Sequence, residues 1–460
     1  MNELFTSVIC AAATHPGAAA LAVIRMSGAG SREIAGKILF SKNGNTLDIP
    51  PRKAVYCCVG DGDEIIDDVV AVFYKAPSSY TGEDSVEITC HGGTLIVKRI
   101  ISLLCRHGAV PAGPGEFSRR AYANGKITLT EAEAIIDSIE AKTSAQLRVA
   151  NAHRGGDIDR RAAEIEEGLK ALLGNIYAAI DFPEEEIGAL DEKETAEAVS
   201  ALLGKVSSFT ATYEQGRLIR DGVDAAIVGR PNTGKSSFLN LLLGRDRAIV
   251  TSTAGTTRDT LEEGCVCGGV QLNLSDTAGI RESSDGIELE GIRRAREKAS
   301  RAELIFAVFD GSVPLTAEDR AIIDELSSYR AKQTVAVINK RDIGTVVGEG
   351  EFPAGWRKAV ISAKIREDAD VIARIVGDLF GSDLLIGNGD AIITSARQHA
   401  AAERAQKSLE TALKMLRSGL PVDMAAAEIE AAFAAVSELD GRRISEEIAN
   451  EIFRRFCVGK

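Results

Sequence analysis

The chain has 460 residues, which at ordinary domain sizes predicts about three domains rather than one hydrophobic core. Hydrophobic residues make up 45% and charged residues 26%, and no apolar run approaches the roughly 18–20 residues of a membrane helix, so an integral membrane protein is excluded. The 54 basic and 67 acidic residues give a net charge of −13, which argues against holding nucleic acid by nonspecific phosphate neutralisation but leaves room for a local basic site.

The N-terminus and the cysteines indicate a cytoplasmic protein with reduced thiols. The first residues superficially imitate a signal peptide, but Glu3 stands where a basic region should be and the apolar stretch is too short. The eight cysteines are scattered, with no repeated pair and no histidine at metal-ligand spacing, which argues against a disulfide framework and a zinc site. Cys265-x-Cys267 is interpreted as two positions of one strand.

In chain order, residues 1–119 are predicted to form an α+β domain. Short β-like runs separated by Gly, Pro and Asp predict the strands Leu21–Met26, Ala54–Val59, Asp68–Tyr74 and Ser85–Cys90. The helical patterns between them cover Ser31–Leu39 and Thr94–His107.

Residues 120–216 change to long amphipathic helical patterns from about Thr128 onward, and the stretch 383–460 is helical again. Between them, in residues 217–382, strand patterns alternate with helical ones, which predicts a parallel sheet with crossover helices. The simplest interpretation is that this α/β domain is inserted into one helical domain whose two halves pack together. Two separate helical domains are the alternative.

The segment from Gly229 to Ser236 fits the phosphate-loop pattern G-x-x-x-x-G-K-[ST], directly after an apolar strand and before a helical run. Its glycines permit the dihedral angles with which backbone N–H groups surround a phosphate, and the helix N-terminus adds its dipole. Lys235 would then reach the β- and γ-phosphates, and the hydroxyl of Ser236 would bind Mg²⁺.

Three segments at the ends of later strands indicate GTP. Asp276-Thr-Ala-Gly279 places a carboxylate for Mg²⁺ and a backbone N–H for the γ-phosphate. Asn339-Lys-Arg-Asp342 brings a carboxylate that accepts hydrogen bonds from N1 and N2 of guanine, a donor pair that adenine lacks. Ser362-Ala-Lys364 follows the last strand and offers a backbone N–H to guanine O6. The order of these motifs predicts a Ras-like P-loop GTPase domain.

Hydrolysis must be arranged differently from that in small GTPases. Ile280 occupies the place where Ras-like proteins carry the Gln that orients water. Arg258 and Arg281 lie in switch-like segments, but neither is assignable as an arginine finger. The hydroxyl-rich stretch 250–259 and Asn232 either coordinate a monovalent cation beside the phosphates or are turn and capping residues, and the residues alone do not decide between the two.

Further motifs lie along the rest of the chain. They are Pro77-Ser-Ser-Tyr-Thr-Gly-Glu-Asp84, His91-Gly-Gly93, Pro114-Gly-Glu-Phe-Ser-Arg-Arg-Ala121, Asp181-Phe-Pro-Glu-Glu185, Gly255-Thr-Thr-Arg-Asp259 and the terminal Cys457-Val-Gly-Lys460. Together they resemble the tRNA-modification GTPase family called MnmE or TrmE over essentially the whole length. The terminal Cys-x-Gly-Lys is very specific in the company of a GTPase core.

The resemblance implies a potassium-dependent GTPase whose G domains dimerise across their nucleotide faces. It assigns K⁺ to Asn232, Thr251, Thr253 and Thr256, and Mg²⁺ to Ser236 and Thr257. The residues expected around the nucleotide are Asn232, Thr233, Gly234, Lys235, Ser236, Ser237, Thr251, Ser252, Thr253, Ala254, Gly255, Thr256, Thr257, Asp276, Thr277, Ala278, Gly279, Asn339, Lys340, Asp342, Ser362, Ala363 and Lys364. Glu288 would position the attacking water in place of the missing Gln, and Lys235 would assist at the phosphates.

The resemblance also implies a folate-binding N-terminal domain that forms a constitutive homodimer. The residues expected around 5-formyl- or methylene-tetrahydrofolate are Arg25, Glu87, Lys126 and Lys460. Basic groups suit the glutamate carboxylates of folate, and a carboxylate suits the pterin N–H donors. Cys457 would belong to the modification site as a catalytic residue. Where the family has a glycine-rich turn, this chain has Pro16-Gly-Ala-Ala-Ala20, a departure close to Arg25.

The function that the resemblance implies is GTP hydrolysis coupled to modification of the wobble uridine of certain tRNAs, which receives an aminomethyl or carboxymethylaminomethyl group at C5. The partner would be MnmG, which carries FAD and uses NADH, and a tetrahydrofolate would supply the one-carbon unit. The alternatives are a ribosome-assembly GTPase, whose usual basic RNA-binding appendage does not fit the acidic total or the residues 457–460, and a stand-alone folate aminomethyltransferase.

Overall fold

The computed structural model describes residues 6–41, 47, 49–62, 64–181, 192–244, 262–275, 300–329, 332–381, 391–441 and 445–459. The chain divides into two compact units. The first contains Met1–Ile136, His153–Leu173 and Ile429–Lys460, and the second contains Asp137–Ala152 and Gly174–Glu428. Within the described ranges, the helices are all too short or too polar to cross a membrane.

The first unit is built on a sheet whose described strands are β1 (Ile9–Ala12), β2 (Leu21–Ser27), β3 (Leu39–Phe40), β4 (Ala54–Asp61), β5 (Glu64–Tyr74), β6 (Ser85–His91) and β7 (Val110–Pro111). Their order is β3-β4-β5-β6-β2-β1-β7, and neighbours are antiparallel except β1 and β7. Alternation along β2 buries Ala22, Ile24 and Met26, while Val23 and Arg25 lie on the opposite, partly open face. Arg25 is therefore available to a ligand.

Helices α1 (Ser31–Ile38) and α2 (Thr94–Arg106) cover the buried face of this sheet. Their side chains Ile38, Leu103 and Leu104 are fully buried in one core with the strands. The strands and helices predicted for residues 1–119 are all present, so the predicted α+β architecture is confirmed. Strands β1, β3 and β7 were not predicted.

The next helices are α3 (Glu116–Ala123), α4 (Leu129–Glu140), α5 (Ser144–Arg154), α6 (Asp157–Asp181), α7 (Glu192–Thr210) and α8 (Tyr213–Asp221). They confirm the helical character predicted for this part of the chain. Within the first unit, α6 contributes Glu166, which is buried and accepts a hydrogen bond from the Ser437 hydroxyl. The helical segments before and after the α/β domain therefore meet in this unit.

The second unit contains a sheet whose described strands are β8 (Val223–Val228), β9 (Glu262–Cys267), β10 (Val270–Ser275), β11 (Leu304–Asp310), β12 (Gln333–Asn339) and β13 (Arg357–Val360), with helices α9 (Lys235–Leu243), α10 (Ala317–Ser327) and α11 (Ala369–Phe380) between or after them. The strand order is β13-β12-β11-β8-β10-β9, and only the β9–β10 hairpin is antiparallel. Cores lie on both faces of the sheet, as a doubly covered parallel sheet requires. The predicted α/β domain is confirmed.

After the α/β domain come α12 (Ala396–Arg417), α13 (Val422–Val436) and α14 (Glu446–Arg454). Helix α7, which precedes the domain, packs along α12, which follows it. At the same place the Ile393 N–H donates to Thr212 Oγ1 at 3.0 Å, and Tyr213 stacks on His399 with ring centroids 3.9 Å apart. These contacts confirm the predicted insertion, in which the two helical halves pack together.

Two of the cysteines occupy one strand, as their spacing predicts. Cys265 and Cys267 are both buried on β9, so they are strand positions. In the part of the chain that the structure describes, no group of His, Cys, Asp and Glu is arranged to hold a metal ion. No disulfide joins any of the eight cysteines, all of which lie within the described residues.

Gly216, in helix α8 of the second unit, packs against the backbone of the segment just before helix α12. A Cβ on Gly216 would overlap the carbonyl oxygen of Ile393, because α8 lies directly against that backbone. We expect Gly216→Ala to lower the free energy of unfolding by about 1–3 kcal/mol through overpacking. Differential scanning calorimetry of the full chain measures this as a lower Tm.

Gly204→Ala is the matched control. Gly204 lies in helix α7 of the same unit, and a Cβ there meets no atom within 4 Å. We expect this substitution to raise stability by up to about 1 kcal/mol through helix propensity. If the two variants had the same Tm, close packing at Gly216 would not limit stability.

Candidate functional site

The phosphate loop follows β8 and ends at the first residue of α9. Asn232 and Gly234 have φ angles of +63° and +97°, so the chain curls between the strand and the helix. A Cβ on Gly234 would overlap the side-chain amide of Asn339. Glycine is therefore required at this position both by the backbone conformation and by the neighbouring residue.

Lys235 begins α9 and its side chain turns back over the loop. Its Nζ donates to the Arg230 carbonyl at 2.8 Å, and the buried Thr233 hydroxyl donates to the same oxygen at 3.0 Å. Burial lowers the pKa of Lys235. The loop therefore holds an ammonium group and a helix N-terminus side by side, which is an arrangement suited to phosphate.

Asn339, at the end of β12, joins the phosphate loop to two later segments. Its side chain is almost completely buried. Its Nδ2 donates to the Thr233 carbonyl at 2.9 Å, and its Oδ1 accepts from the N–H groups of Lys340 at 2.8 Å and Ala363 at 2.9 Å. One amide group thus brings together three of the segments predicted to form the nucleotide site.

Asp342 lies beside the last of these segments. Its Oδ1 accepts from the Ser362 hydroxyl at 2.8 Å, and Lys364 Nζ lies 3.7 Å from Oδ2. The hydrogen bond from Ser362 lowers the pKa of Asp342 below its ordinary value, and the Lys364 charge adds to this effect. The carboxylate is therefore ionised at neutral pH and can accept hydrogen bonds from the two adjacent N–H donors of guanine.

Three supporting carboxylates were not identified from the sequence. Asp310, at the end of β11, accepts from Lys340 Nζ at 2.6 Å. Burial opposes the ionised form of Asp310, but hydrogen bonds from Lys340 and Ser312 lower its pKa. Asp368 accepts from the Arg341 guanidinium at 2.6 and 2.7 Å and from the Ser362 N–H at 2.6 Å. Its pKa is lowered chiefly by Arg341.

The third carboxylate, Asp319, has a signal that could have been found in the sequence. Thr316 and Asp319 have the spacing of a capping box, and Asp319 closes that box at the start of α10 by accepting from the Thr316 N–H. The Nε–H of Arg230 is shared between the two oxygens of the same carboxylate, at 3.1 and 3.0 Å. Arg230 belongs to the phosphate loop. The cap of α10 therefore also fixes one side of that loop.

Several predicted site residues lie outside the described residues. They are Thr251, Ser252, Thr253, Ala254, Gly255, Thr256, Thr257, Asp276, Thr277, Ala278, Gly279, Glu288 and Lys460. Ser236 and Ser237 are described, and both are exposed in the first turn of α9. The part of the nucleotide site that the structure places therefore consists of the phosphate loop, the end of β12 and residues 362–364.

A second candidate site lies in the first unit. A cavity of about 220 Å³ is lined by Arg25, Tyr74, Tyr80, Thr81, Ser85 and Glu87. The Arg25 guanidinium contacts Glu87 Oε1 at 2.7 and 2.9 Å and lies 5.3 Å from the centre of the Tyr80 ring. The Tyr74 hydroxyl donates to Glu87 Oε2 at 3.5 Å. Burial and the Glu87 carboxylate raise the pKa of Tyr74, so this phenol keeps its proton.

One other predicted folate residue, Lys126, lies close to this cavity, and the described residues 457–459 lie near its sheet. A Cβ on Gly82 would come within 3.1 Å of Lys126 Cγ, so Lys126 lies against the loop that supplies Thr81. At the C-terminus, the Gly115 N–H donates to the Cys457 carbonyl at 3.4 Å. Gly459 packs against the backbone of Ala12, at the end of the strand that pairs with β2. The terminal residues 457–459 are thus held beside Gly115 and the end of β1, the strand that pairs with the one carrying Arg25.

Residues 16–20, which are alanine-rich where a glycine-rich turn was expected, are held by backbone hydrogen bonds. The Ala19 N–H donates to the Gly92 carbonyl at 3.0 Å, and the Gly92 N–H donates to the Ala20 carbonyl at 3.2 Å. A Cβ on Gly92 would overlap the Ala19 carbonyl. The glycine that permits the close approach of these two segments is therefore Gly92.

Two family descriptions match the chain. Residues 129–457 match "MnmE helical domain", which is more than half of the chain, and residues 8–126 match "GTP-binding protein TrmE N-terminus". The chain belongs to the MnmE family of tRNA modification GTPases. The resemblance found in the sequence is confirmed, and the phosphate loop with Asn339 and Asp342 belongs to a GTPase.

Curated relatives are similar over their full length. The tRNA modification GTPase MnmE of Moorella thermoacetica is 37% identical over 467 residues, which is 99% of this chain and 100% of that protein. The one from Lactobacillus helveticus is 34% identical over 456 residues and covers 98% of each chain. Among solved structures, an Aquifex aeolicus Era variant bound to GDP and AlF4⁻ is 27% identical and covers 40% of this chain and 66% of its own, with a TM-score of 0.26.

We expect Asn339→Ala to destabilise the second unit and weaken nucleotide binding together. The substitution leaves the Thr233 carbonyl and the N–H groups of Lys340 and Ala363 without this partner, at about 1–3 kcal/mol for each group that stays buried. Calorimetry would show a lower Tm, and titration with a fluorescent GDP analogue would show a higher Kd.

Asn273→Ala is the control for this prediction. Asn273 lies on β10 in the same unit, and its amide donates to Asp221 and Asp224 at exposed positions. We expect a loss of no more than about 1 kcal/mol and an unchanged Kd. Wild-type Tm and Kd in the Asn339 variant would contradict the role assigned to that amide.

Proposed function

We propose that this chain is a potassium-dependent GTPase that takes part in modifying C5 of the wobble uridine of certain tRNAs, adding an aminomethyl or carboxymethylaminomethyl group. The observation that carries the proposal is the full-length match to MnmE together with a phosphate loop tied by Asn339 to Asp342 and Ser362. In this proposal, GTP hydrolysis changes the pairing of two G domains and thereby drives the modification cycle.

The phosphate loop and its neighbours would bind GTP and Mg²⁺. The loop N–H groups and Lys235 would hold the phosphates, and Asp342 would select guanine. The Ser236 hydroxyl is exposed at the start of α9, and a hard oxygen at this place suits Mg²⁺. Thr257 and Asp276 would complete the magnesium site, directly or through water.

Asn232 would contribute to a potassium site next to the phosphates. Its side chain is exposed, and its positive φ directs the loop at the point where the resemblance assigns a potassium ligand. Oxygen atoms of Thr251, Thr253 and Thr256 would supply the other ligands. K⁺ would supply the positive charge that an arginine finger brings in other GTPases, and Glu288 would orient the attacking water.

The cavity around Arg25 and Glu87 fits the heterocycle of a tetrahydrofolate. A carboxylate accepts from the pterin N–H groups, a guanidinium donates to its oxygen, and the Tyr74 and Tyr80 rings provide apolar walls. Lys126 and Lys460 would bind the glutamate carboxylates. When bound, the tetrahydrofolate would supply the one-carbon unit. Cys457 is exposed, which suits a role at the same site.

The proposed assembly contains two copies of this chain joined through their N-terminal domains, together with MnmG and tRNA. MnmG would contribute FAD and the NADH-dependent chemistry, for which this chain has no assigned residues. We propose that the complex works in the cytoplasm, where free thiols such as those of all eight cysteines persist.

The potassium requirement is tested by comparing cations at one ionic strength. We expect kcat for GTP hydrolysis to be at least about tenfold higher in KCl than in NaCl, because only K⁺ would occupy the site and stabilise charge on the phosphates. The Kd for GDP, measured in both salts, serves as the control for nucleotide affinity. Equal turnover in the two salts would remove K⁺ from the mechanism.

The wider function is tested in a deletion strain of the source organism. We expect mass spectrometry of its tRNA nucleosides to show wobble uridines without the C5 group, and the wild-type chain to restore them. Glu288→Ala should bind GTP with nearly normal affinity but restore little modification, because turnover would be slow. Normal wobble uridines in the deletion strain would exclude the tRNA function, whereas full rescue by the variant would exclude only the role of Glu288.

A further inference from the structure

A buried polar network lies behind the cavity in the first unit. The Arg120 side chain of α3 is only 1% exposed. Its guanidinium donates to the Ser7 carbonyl at 2.9 Å, to Glu83 at 3.2 Å and to Glu116 at 3.0 Å. A buried charge persists only when it is paired and hydrogen-bonded. These three acceptors meet that requirement, so the guanidinium holds three chain segments in fixed positions.

Glu83 extends this constraint to the cavity. Its Oε2 accepts from the Ser27 hydroxyl at 2.7 Å, and the Ser27 and Thr81 hydroxyl oxygens are 2.6 Å apart. Ser27 and Thr81 are fully buried, so their geometry depends on these protein partners. Thr81 lines the cavity together with Tyr80 and Ser85. The network that begins at Arg120 therefore ends on the cavity wall.

The helix that carries Arg120 holds the same wall at two more points. Ser118 Oγ lies 2.8 Å from the Tyr80 hydroxyl oxygen. Asn124, directly after the helix, donates from Nδ2 to the Thr81 carbonyl at 2.8 Å. The Thr81 side chain is thus held by the hydrogen-bond chain that runs from Arg120 through Glu83 and Ser27. Its backbone is held by Asn124.

We propose that Arg120 and Glu83 are positioning residues of the tetrahydrofolate site, whose ion pair fixes the cavity wall formed by Tyr80 and Thr81. This inference rests on the proposed folate site. Neither residue lines the cavity, so both act through Ser27 and Thr81. Lysine cannot replace Arg120, because one ammonium group does not reproduce the planar fork that serves Ser7, Glu83 and Glu116.

Arg120→Lys in the full chain tests the proposal, with Arg119→Lys as the matched control. Arg119 is the next residue on the same helix, but it is 35% exposed and pairs at 3.3 Å with the exposed Glu446. We expect Arg120→Lys to raise the Kd for 5-formyltetrahydrofolate at least about tenfold in calorimetric titration. The GTP hydrolysis rate should stay at the wild-type value. Arg119→Lys should leave both quantities unchanged, and an unchanged Kd in Arg120→Lys would overturn the proposal.

Hydrogen exchange tests the wall itself without folate. We expect faster amide exchange in residues 79–85 of Arg120→Lys, with unchanged exchange in β8 of the second unit. If Arg120→Lys does not fold, Glu83→Gln carries the same expectation, because it keeps an acceptor for Ser27 but removes the charge paired with Arg120. Unchanged exchange in residues 79–85 would contradict the positioning role. Failure of the wild-type chain to bind 5-formyltetrahydrofolate would instead contradict the proposed folate function.

Discussion

The side-chain amide of Asn339 is the interaction on which the described nucleotide site depends. The phosphate loop follows β8, whereas the segments proposed to select guanine follow β12 and β13, so the chain itself does not fix their separation. A single buried amide does so with one donated and two accepted hydrogen bonds. Gly234 completes the arrangement, because any side chain there would displace that amide. The phosphate loop therefore depends on the Asn339 amide, and the place of that amide depends on the glycine at position 234.

The first unit uses the same physical device at a different site. Arg120, like Asn339, is buried, satisfies several acceptors or donors at once and lies one layer behind the surface that a ligand would meet. Its charge makes the arrangement more demanding, because a buried ion that loses a partner is far more costly than a neutral amide that does. Both sites are therefore shaped by buried groups that each make several hydrogen bonds within the protein.

Much of the fold was predictable because local patterns determine it. The central strands β11 and β12 of the second sheet carry continuous apolar runs, as β11 does from Leu304 to Phe309, and such runs are typical of parallel strands buried on both faces. β1 was not predictable, since Ile9-Cys-Ala-Ala12 is short and rich in small residues with weak strand preference. It forms because β2 and β7 pair with it on either side, which is tertiary information.

The two candidate sites likewise differ in how much of each can be predicted from the sequence. A phosphate loop needs a fixed spacing along the chain, so Gly229 to Ser236 could be identified from the sequence alone. Glu116 lies four residues before Arg120 on the same helix, but Ser7 and Glu83 are distant in the chain and no spacing rule connects them to Arg120. An arginine on a short amphipathic helix is ordinarily a solvated residue, and only the packing of three segments around it shows otherwise.

The acidic total of the chain is reflected in how its basic site residues are held. Arg25 is paired with Glu87, Lys340 with Asp310, Arg341 with Asp368 and Arg230 with Asp319. Each of these four cations is thus already paired with a carboxylate, whereas Lys235 in the phosphate loop donates to the Arg230 carbonyl. An anionic ligand that binds one of these cations must therefore displace the paired carboxylate with stronger hydrogen bonds, or share the cation with that carboxylate. Charge alone does not meet this condition, whereas a ligand with donors for the carboxylate and acceptors for the cation does.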